Sequence, residues 1–325
     1  MTRPMRVVLL AGGGGGAKLA AGLAALVPTI ELCVVANTGD DFEHLGLLIC
    51  PDFDSVLYSL AKQLDTKKGW GRDGETWHVL GELTALGGPD WFGVGDRDLA
   101  LHLLRNSMIH KGYDLSRVAA ELCGHFDIRP TRVVPASDQP VRTVLTTTEG
   151  QLDFQDYFVG RRCQPEVISI DYVGVDDATP SMGLTAFARE GIDAVIVAPS
   201  NPLLSIEPIL RITGMPALLS DADQIVAVSP LIDGQAIKGP LAKIMVELGR
   251  QPTSAGWAEL VDTQHPNFVN HWIFDIQDQR HADRFAGSPQ TTACMNTLMN
   301  DEGAATALAR AIIQALLSTN RQGCA

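Results

Sequence analysis

The stretch Arg6–Leu23, RVVLLAGGGGGAKLAAGL, sets five consecutive glycines, Gly12 to Gly16, between an apolar run and a segment rich in alanine and leucine. RVVLLAG is short, apolar and β-branched, as expected of a strand covered on both faces. AKLAAGLAAL has helical spacing and ends before Pro28. ELCVVANTGDD reads as a second buried strand running into a polar loop. Strand, glycine turn, helix and strand make a βαβ unit. A tight turn alone does not require so long a glycine run, which argues that something approaches the backbone there. Free N–H groups at a helix N-terminus, with no Cβ in the way, form an anion site. Gly12, Gly14 and Ala17 satisfy the G-x-G-x-x-A pattern of nucleotide-binding α/β folds, whereas a P-loop fails because Leu19 follows Lys18 where a hydroxyl residue is needed.

The α/β rhythm continues outward. DSVLYSLAKQL reads as a helix with Asp54 at its N-cap. DAVIVAPSNP, QIVAVSPLIDG and HWIFDI are strand candidates, and PLAKIMVEL and EGAATALARAIIQALL are helix candidates. RTVLTTTEGQLDFQDYFVG alternates on either side of Glu149-Gly150 and reads as a β-hairpin outside the parallel core. Between them, residues 65–130 carry tryptophans, charges and amphipathic patterns such as DRDLALHLLRNSMI. The expected organisation is a Rossmann-like α/β core over residues 1–64 and 131–325, its mainly parallel sheet flanked by helices, with a mostly helical insertion over residues 65–130.

Composition sets bounds on function. The 325 residues suffice for a large core, and 46% hydrophobic with 19% charged residues is ordinary for a globular protein. A net charge of −13 argues against nucleic-acid or anionic-membrane partners, though not against a nucleotide held by local amides. Six cysteines without a C-x-x-C pair suit reduced thiols, and no apolar stretch reaches the ~20 residues of a membrane span, so a soluble cytoplasmic protein is expected.

The aspartates are the most informative polar residues. Asp40 and Asp41 follow the second strand, Asp52 and Asp54 flank Phe53, and Asp96 and Asp98 flank Arg97. Loops at the carboxyl ends of parallel strands converge on one crevice, so the first two pairs are expected to face the glycines. Phosphates beside carboxylates call for a hard cation, and magnesium binds through carboxylates and substrate phosphates. Ser200 and Asn201 in APSNP can hydrogen-bond a nucleotide. KGPLAK offers a further helix start at Pro240, with Lys238 and Lys243 nearby. Trp70, Trp77, Trp91 and Phe92 form either a small satellite core or a stacking wall for a flat ring; composition alone favours the core. No histidine pattern suggests zinc, and no nucleophile elbow is present.

LAGGGGGAK, VVANTGDD, LICPDFDSVLY, GWGRDGETW, DWFGVGDRDLALHLLR, PASDQPVRT, FQDYFVG, APSNPLLSI and VSPLI occur in this order. Together they resemble the 2-phospho-L-lactate transferase family of deazaflavin coenzyme (F420) biosynthesis. The resemblance implies a magnesium-dependent transferase. Its donor is a lactyl, enolpyruvyl or glyceryl acid activated as a guanosine diphosphate. The acid-phosphate unit passes to the ribityl 5′-hydroxyl of 7,8-didemethyl-8-hydroxy-5-deazariboflavin, and GMP is released. On this basis Gly12, Gly13, Gly14, Gly15, Gly16, Lys18, Ser200 and Asn201 are expected at the nucleotide. Asp40 and Asp54 are expected at the metal and the chemistry. Asp54, Trp70, Trp91, Gly93 and Asp96 are expected at the acceptor, the tryptophan-rich segment covering its ring. Some members carry lysine where Gly93 stands, so that basic contact is not carried over. A homodimer is the expected assembly. The alternatives are an NAD(P)-dependent oxidoreductase and a non-catalytic nucleotide-binding regulator. The first calls for an acidic residue at the end of the second strand, where this chain has Asn37.

Overall fold

In the computed structural model, which describes residues 3–322 apart from 238 and 286, the strand before the glycines lies inside a seven-stranded sheet. The strands are β1 (Met5–Ala11), β2 (Ile30–Ala36), β3 (Arg132–Pro135), β4 (Ala194–Val197), β5 (Gln224–Val228), β6 (His271–Asp275) and β7 (Thr291–Met295). Their spatial order is β3-β2-β1-β4-β5-β6-β7, and every pairing is parallel. Val7, Val8, Leu9 and Leu10 are all fully buried because both faces of the sheet are covered. Val7 and Leu9 pack with helix α1 (Gly13–Ala24) and the C-terminal helix Glu302–Gln322. Val8 and Leu10 pack on the other face with Phe187, Trp257 and Trp272. Chain order reverses between β1 and β4. In a doubly wound sheet the loops leaving such a point diverge and open a crevice at the carboxyl ends of the strands.

The strands read as DAVIVAPSNP, QIVAVSPLIDG and HWIFDI are β4, β5 and β6. β7 escaped that reading because TTACM lies at the sheet edge and no residue in it is fully buried, so it carries no apolar run. The hairpin forms as expected from Arg142–Thr147 and Gly150–Asp153, outside the parallel sheet, and gains a third antiparallel strand, Val167–Val173.

Helix α2 spans Pro51–Leu60 with Cys50 as its N-cap. Asp54 is therefore inside the first turn and is not the cap, a correction that follows from Pro51, whose fixed φ starts the helix earlier. Residues 65–130 hold α3 (His78–Ala85), α4 (Asp96–His110) and α5 (Leu115–His125), the helical content expected. They do not form a body of their own. Leu101, Met108, Val118 and Leu122 join the same apolar cluster as β1 and α1, whereas α3 buries no residue.

A Cβ on Gly22 of α1 would collide with the carbonyl oxygen of Ala305 in the C-terminal helix. Gly22→Leu is therefore expected to lose ~1–3 kcal/mol in chemical denaturation, although leucine is the better helix former. An unshifted midpoint would show that these helices are not in close contact.

Candidate active site

Three of the glycines answer to packing within the chain. A Cβ on Gly12 would lie 2.6 Å from Oδ2 of Asp52, one on Gly15 would overlap the carbonyl oxygen of Pro199, and one on Gly16 would lie 2.9 Å from Cβ of Ala11. Gly13 adopts a φ of +62°, which glycine takes without strain. Gly14 differs, because a Cβ there meets nothing within 4 Å. The run does not form a loop: Gly12 is the N-cap and Gly13 to Gly16 are the first residues of α1.

The switch point is clipped by a side chain. Ser200, after β4, donates its hydroxyl to the carbonyl of Gly12 at 2.7 Å and accepts from the Gly12 N–H at 3.3 Å. Asn201 turns inward on its own loop, its Oδ1 accepting from the N–H groups of Leu203 and Leu204. Lys18 stands apart from the glycines in its contacts: its ammonium donates to the carbonyl of Met299 at 2.7 Å. Pro240 is the N-cap of the helix Leu241–Glu247 rather than its first residue, Lys243 donates to the carbonyl of Pro165, and Lys238 lies outside the described residues.

The carboxylates fall into two linked groups. In the first, Asn37 Nδ2 donates to Asp40 Oδ1 and Asp52 Oδ2, both at 2.9 Å, while Asp52 Oδ1 accepts from the Gly13 N–H at 2.6 Å. Burial, then the proximity of Asp52, holds the Asp40 carboxyl well above the usual carboxylate range. Burial pushes Asp52 up to about 6 and the adjoining Asp41 to about 7. Asp41 Oδ1 and Thr38 Oγ1 have no hydrogen-bond partner, and both residues line a cavity of about 20 Å³, room for one water molecule.

The second group centres on Asp54. Arg105, 1% exposed on α4, grips both carboxylate oxygens of Asp54. His102 lies between carboxylates, with Nδ1 3.7 Å from Asp54 and Nε2 3.6 Å from Asp98. The Tyr58 hydroxyl donates to Asp98. Burial raises the Asp54 carboxyl above its ordinary range even against Arg105. Burial also opposes ionisation of Asp98, yet His102 and the Tyr58 hydroxyl leave it below its ordinary value. Among the described residues, Asp54, Asp98 and His102 are the one group of three histidine, cysteine or acidic side chains whose ligand atoms all lie within 4.8 Å of one another.

Asp40 and Asp54, both expected at the metal, are held by different partners. Asp40 is joined to Asp52, and Asp54 to Arg105, because Asn37 and α4 supply the nearest donors. Of the residues around Asp54, Asp98 stands among the aspartates noted in the sequence, whereas His102 and Arg105 are not site candidates there. Their signal was present, since positions i, i+4 and i+7 share one face of a helix. Asp96, expected at the acceptor, caps α3: its carboxylate accepts from the N–H groups of His78 and Val79 and from the Thr76 hydroxyl.

The tryptophans make two edge-on clusters. Trp91, 38% exposed, lies edge to face with His44 at 5.5 Å between ring centroids, beside Phe42 and Phe92. Trp70, 48% exposed, is T-shaped against Trp77 at 6.4 Å, and a Cβ on Gly93 would sit 3.4 Å from Trp70. The rings are both a small packed cluster and an exposed apolar face.

A doubly wound parallel sheet with a glycine turn and a carboxylate cluster beside its switch point defines a Rossmann-like α/β protein. Residues 7–313 match the 2-phospho-L-lactate transferase CofD family, and the chain belongs to it: it is a transferase of coenzyme F420 biosynthesis. It is 36% identical to a phosphoenolpyruvate transferase of Kitasatospora aureofaciens, over 98% of this chain and 100% of that protein. It is 37% identical to a 2-phospho-L-lactate transferase of Methanosarcina acetivorans, over 86% of this chain and 88% of that one. The crystal structure of a UPF0052-family protein from Bacillus halodurans shares the fold, with a TM-score of 0.63 at 15% identity, covering 96% of this chain and 100% of that one. No helix among the described residues is long and apolar enough to cross a membrane.

Removing one partner of a buried ion pair leaves an uncompensated charge at a cost of ~3–5 kcal/mol, whereas replacing both partners with apolar groups can be neutral. Arg105→Met is expected to lower stability on that scale, and the double variant Arg105→Met/Asp54→Leu to recover most of the loss. Equal stability of Arg105→Met and the parent in urea would show that Asp54 has another partner.

Proposed function

We propose that the chain transfers a phospho-lactyl, phosphoenolpyruvyl or phosphoglyceryl unit from its guanosine diphosphate-activated donor to the ribityl 5′-hydroxyl of 7,8-didemethyl-8-hydroxy-5-deazariboflavin, releasing GMP. The observation that carries this reading is Gly14. Packing within the chain accounts for the glycines at 12, 15 and 16 and backbone conformation for the one at 13, whereas nothing in the chain itself requires Gly14. A phosphate group at the start of α1 does.

In this reading the backbone amides of Gly13 to Gly16 face the donor's phosphates, and the N-terminal end of the α1 dipole favours the charge that GMP carries away. Ser200 fixes the glycine turn, and Asn201 shapes the neighbouring loop. Lys18, tied to Met299, is assigned no phosphate contact. The acceptor lies along the exposed faces of Trp70 and Trp91, with Gly93 against the Trp70 ring. Asp96 supports that wall by capping α3.

The carboxylates fit a hard divalent cation such as magnesium. Asp40 and Asp52 offer buried oxygens, both are raised above the usual range, and among the described residues neither is hydrogen-bonded to a basic side chain. Asp40 would hold the ion, with Asp54 beyond it. Bound there, the cation would neutralise phosphate charge. The chain's own part is orientation and proton transfer. The acceptor hydroxyl attacks the β-phosphorus, a new P–O bond forms, the bond from the β-phosphorus to the bridging oxygen breaks, and the pair leaves with GMP. Asp54 takes the hydroxyl proton, and Arg105 holds its carboxylate in place.

Two outcomes test this. Gly14→Val is expected to keep its melting temperature, since valine is no worse than glycine in a helix and the space is open. It should lose GDP binding in calorimetry; unchanged affinity would remove the phosphates from α1. Asp54→Asn is expected to fold and bind GDP, with turnover reduced by roughly a hundredfold or more, the scale of a lost general base. The assay is mass-resolved product formation from the deazariboflavin and each guanylated acid. Turnover near the parent rate would move the proton to another group.

A further inference from the structure

In the reading above Asp52 only adds a buried oxygen beside Asp40, yet it holds the most telling contact in the crevice. Its Oδ1 accepts from the N–H of Gly13, the first residue of a twelve-residue helix, at 2.6 Å. That N–H is one of the donors a helix start leaves without an intrahelical partner, and it lies at the positive end of the helix dipole. Asp52 itself is 4% exposed. Its other oxygen accepts from Asn37, and the backbone at Gly12 is cut away where a Cβ would come within 2.6 Å of it. A carboxylate in this position is chemically what a phosphate oxygen would be: anionic, acceptor-only and bound to the amide of the glycine turn. It is therefore in direct competition with a phosphate for the same donor. Asp40, sharing the amide of Asn37, sets a second carboxyl beside it.

We infer that Asp52 is a specificity residue that stands in for phosphate on Gly13, so that the glycine turn rejects bare phosphate anions and accepts the donor only when the charge of Asp52 is neutralised. This rests on the nucleotide reading of the glycine turn. A divalent cation shared with Asp40 would supply that neutralisation in the working enzyme; a neutral side chain supplies it permanently. The device makes nucleotide affinity depend on cation more steeply than the nucleotide's own affinity for the ion would, and it does so through a residue that is not itself at the transferred group.

The test is calorimetry of GDP binding to the full-length protein with magnesium and with a chelator in its place. The parent is expected to bind GDP at least tenfold more weakly in chelator. Asp52→Ala, and Asp52→Asn in case the alanine variant folds poorly, are expected to bind GDP in chelator at least tenfold more tightly than the parent does. The magnesium dependence should shrink accordingly. If folded variants bind GDP in chelator no better than the parent, while Gly14→Val abolishes binding, Asp52 does not compete for the turn and the inference fails alone. If the parent binds no GDP in either buffer, or Gly14→Val binds as the parent does, the nucleotide reading fails and the inference falls with it.

Discussion

The structure depends on a steric constraint at the start of α1: at Gly12, Gly15 and Gly16 there is no space for β-carbons. The carbonyl of Pro199 occupies the space beside Gly15, Ala11 that beside Gly16, and Ser205 with Asp52 that beside Gly12. Because side chains are excluded, the loop after β4 can lie close enough for Ser200 to clip Gly12, and α2 can bring Asp52 onto Gly13. Any bulk at these positions would part three elements at once. The sheet would survive, since β1 is buried for its own reasons, but the crevice would not.

Much of this was legible in the residues. Continuous apolar runs gave β1, β2, β4, β5 and β6, because strands covered on both faces carry no polar alternation. β7, at the sheet edge, had no such run, and the helix Ser254–Gln264 lay in a segment whose glycine and polar residues masked its buried side. The site was legible as a set of aspartates converging on glycines, but not in its pairings. Which carboxylate meets which donor depends on Asn37 and on α4, elements whose placement comes from packing. A cap was expected at Asp54 because aspartates commonly start helices; Pro51 started this one sooner. The glycine run read as one motif is, in three dimensions, three positions fixed by packing, one by backbone conformation, and Gly14, which nothing in the chain requires.

Electrostatically the crevice is arranged as two poles of unequal character. Around Asp40, Asp41 and Asp52, burial raises the carboxyls above their ordinary range, and at Asp40 the neighbouring Asp52 and Asp41 add to it. Around Asp54 and Asp98, Arg105 and His102 supply compensating contacts from a single helix. Among the described residues no basic side chain hydrogen-bonds to Asp40 or Asp52, whereas Arg105 grips Asp54. A cationic ligand gains more at the first, and a group that must stay fixed while accepting a proton is better kept at the second.

The uneven anchoring of residues 65–130 bears on how this enzyme family can diversify. α4 and α5 are welded into the main core and carry the partners of Asp54, so they change only with the body of the protein. The stretch before them, with α3 and its exposed rings, buries almost nothing; Asp96 caps α3, Glu75 accepts from the first N–H groups of α4, Arg72 and Asp73 bond to Gln63, and Trp91 and Phe92 rest on Phe42 and His44. On the proposed reading, in which these rings face the acceptor, acceptor preference can drift, or be transplanted between relatives, as a cassette ending just short of Asp96, without disturbing Asp54 and its partners.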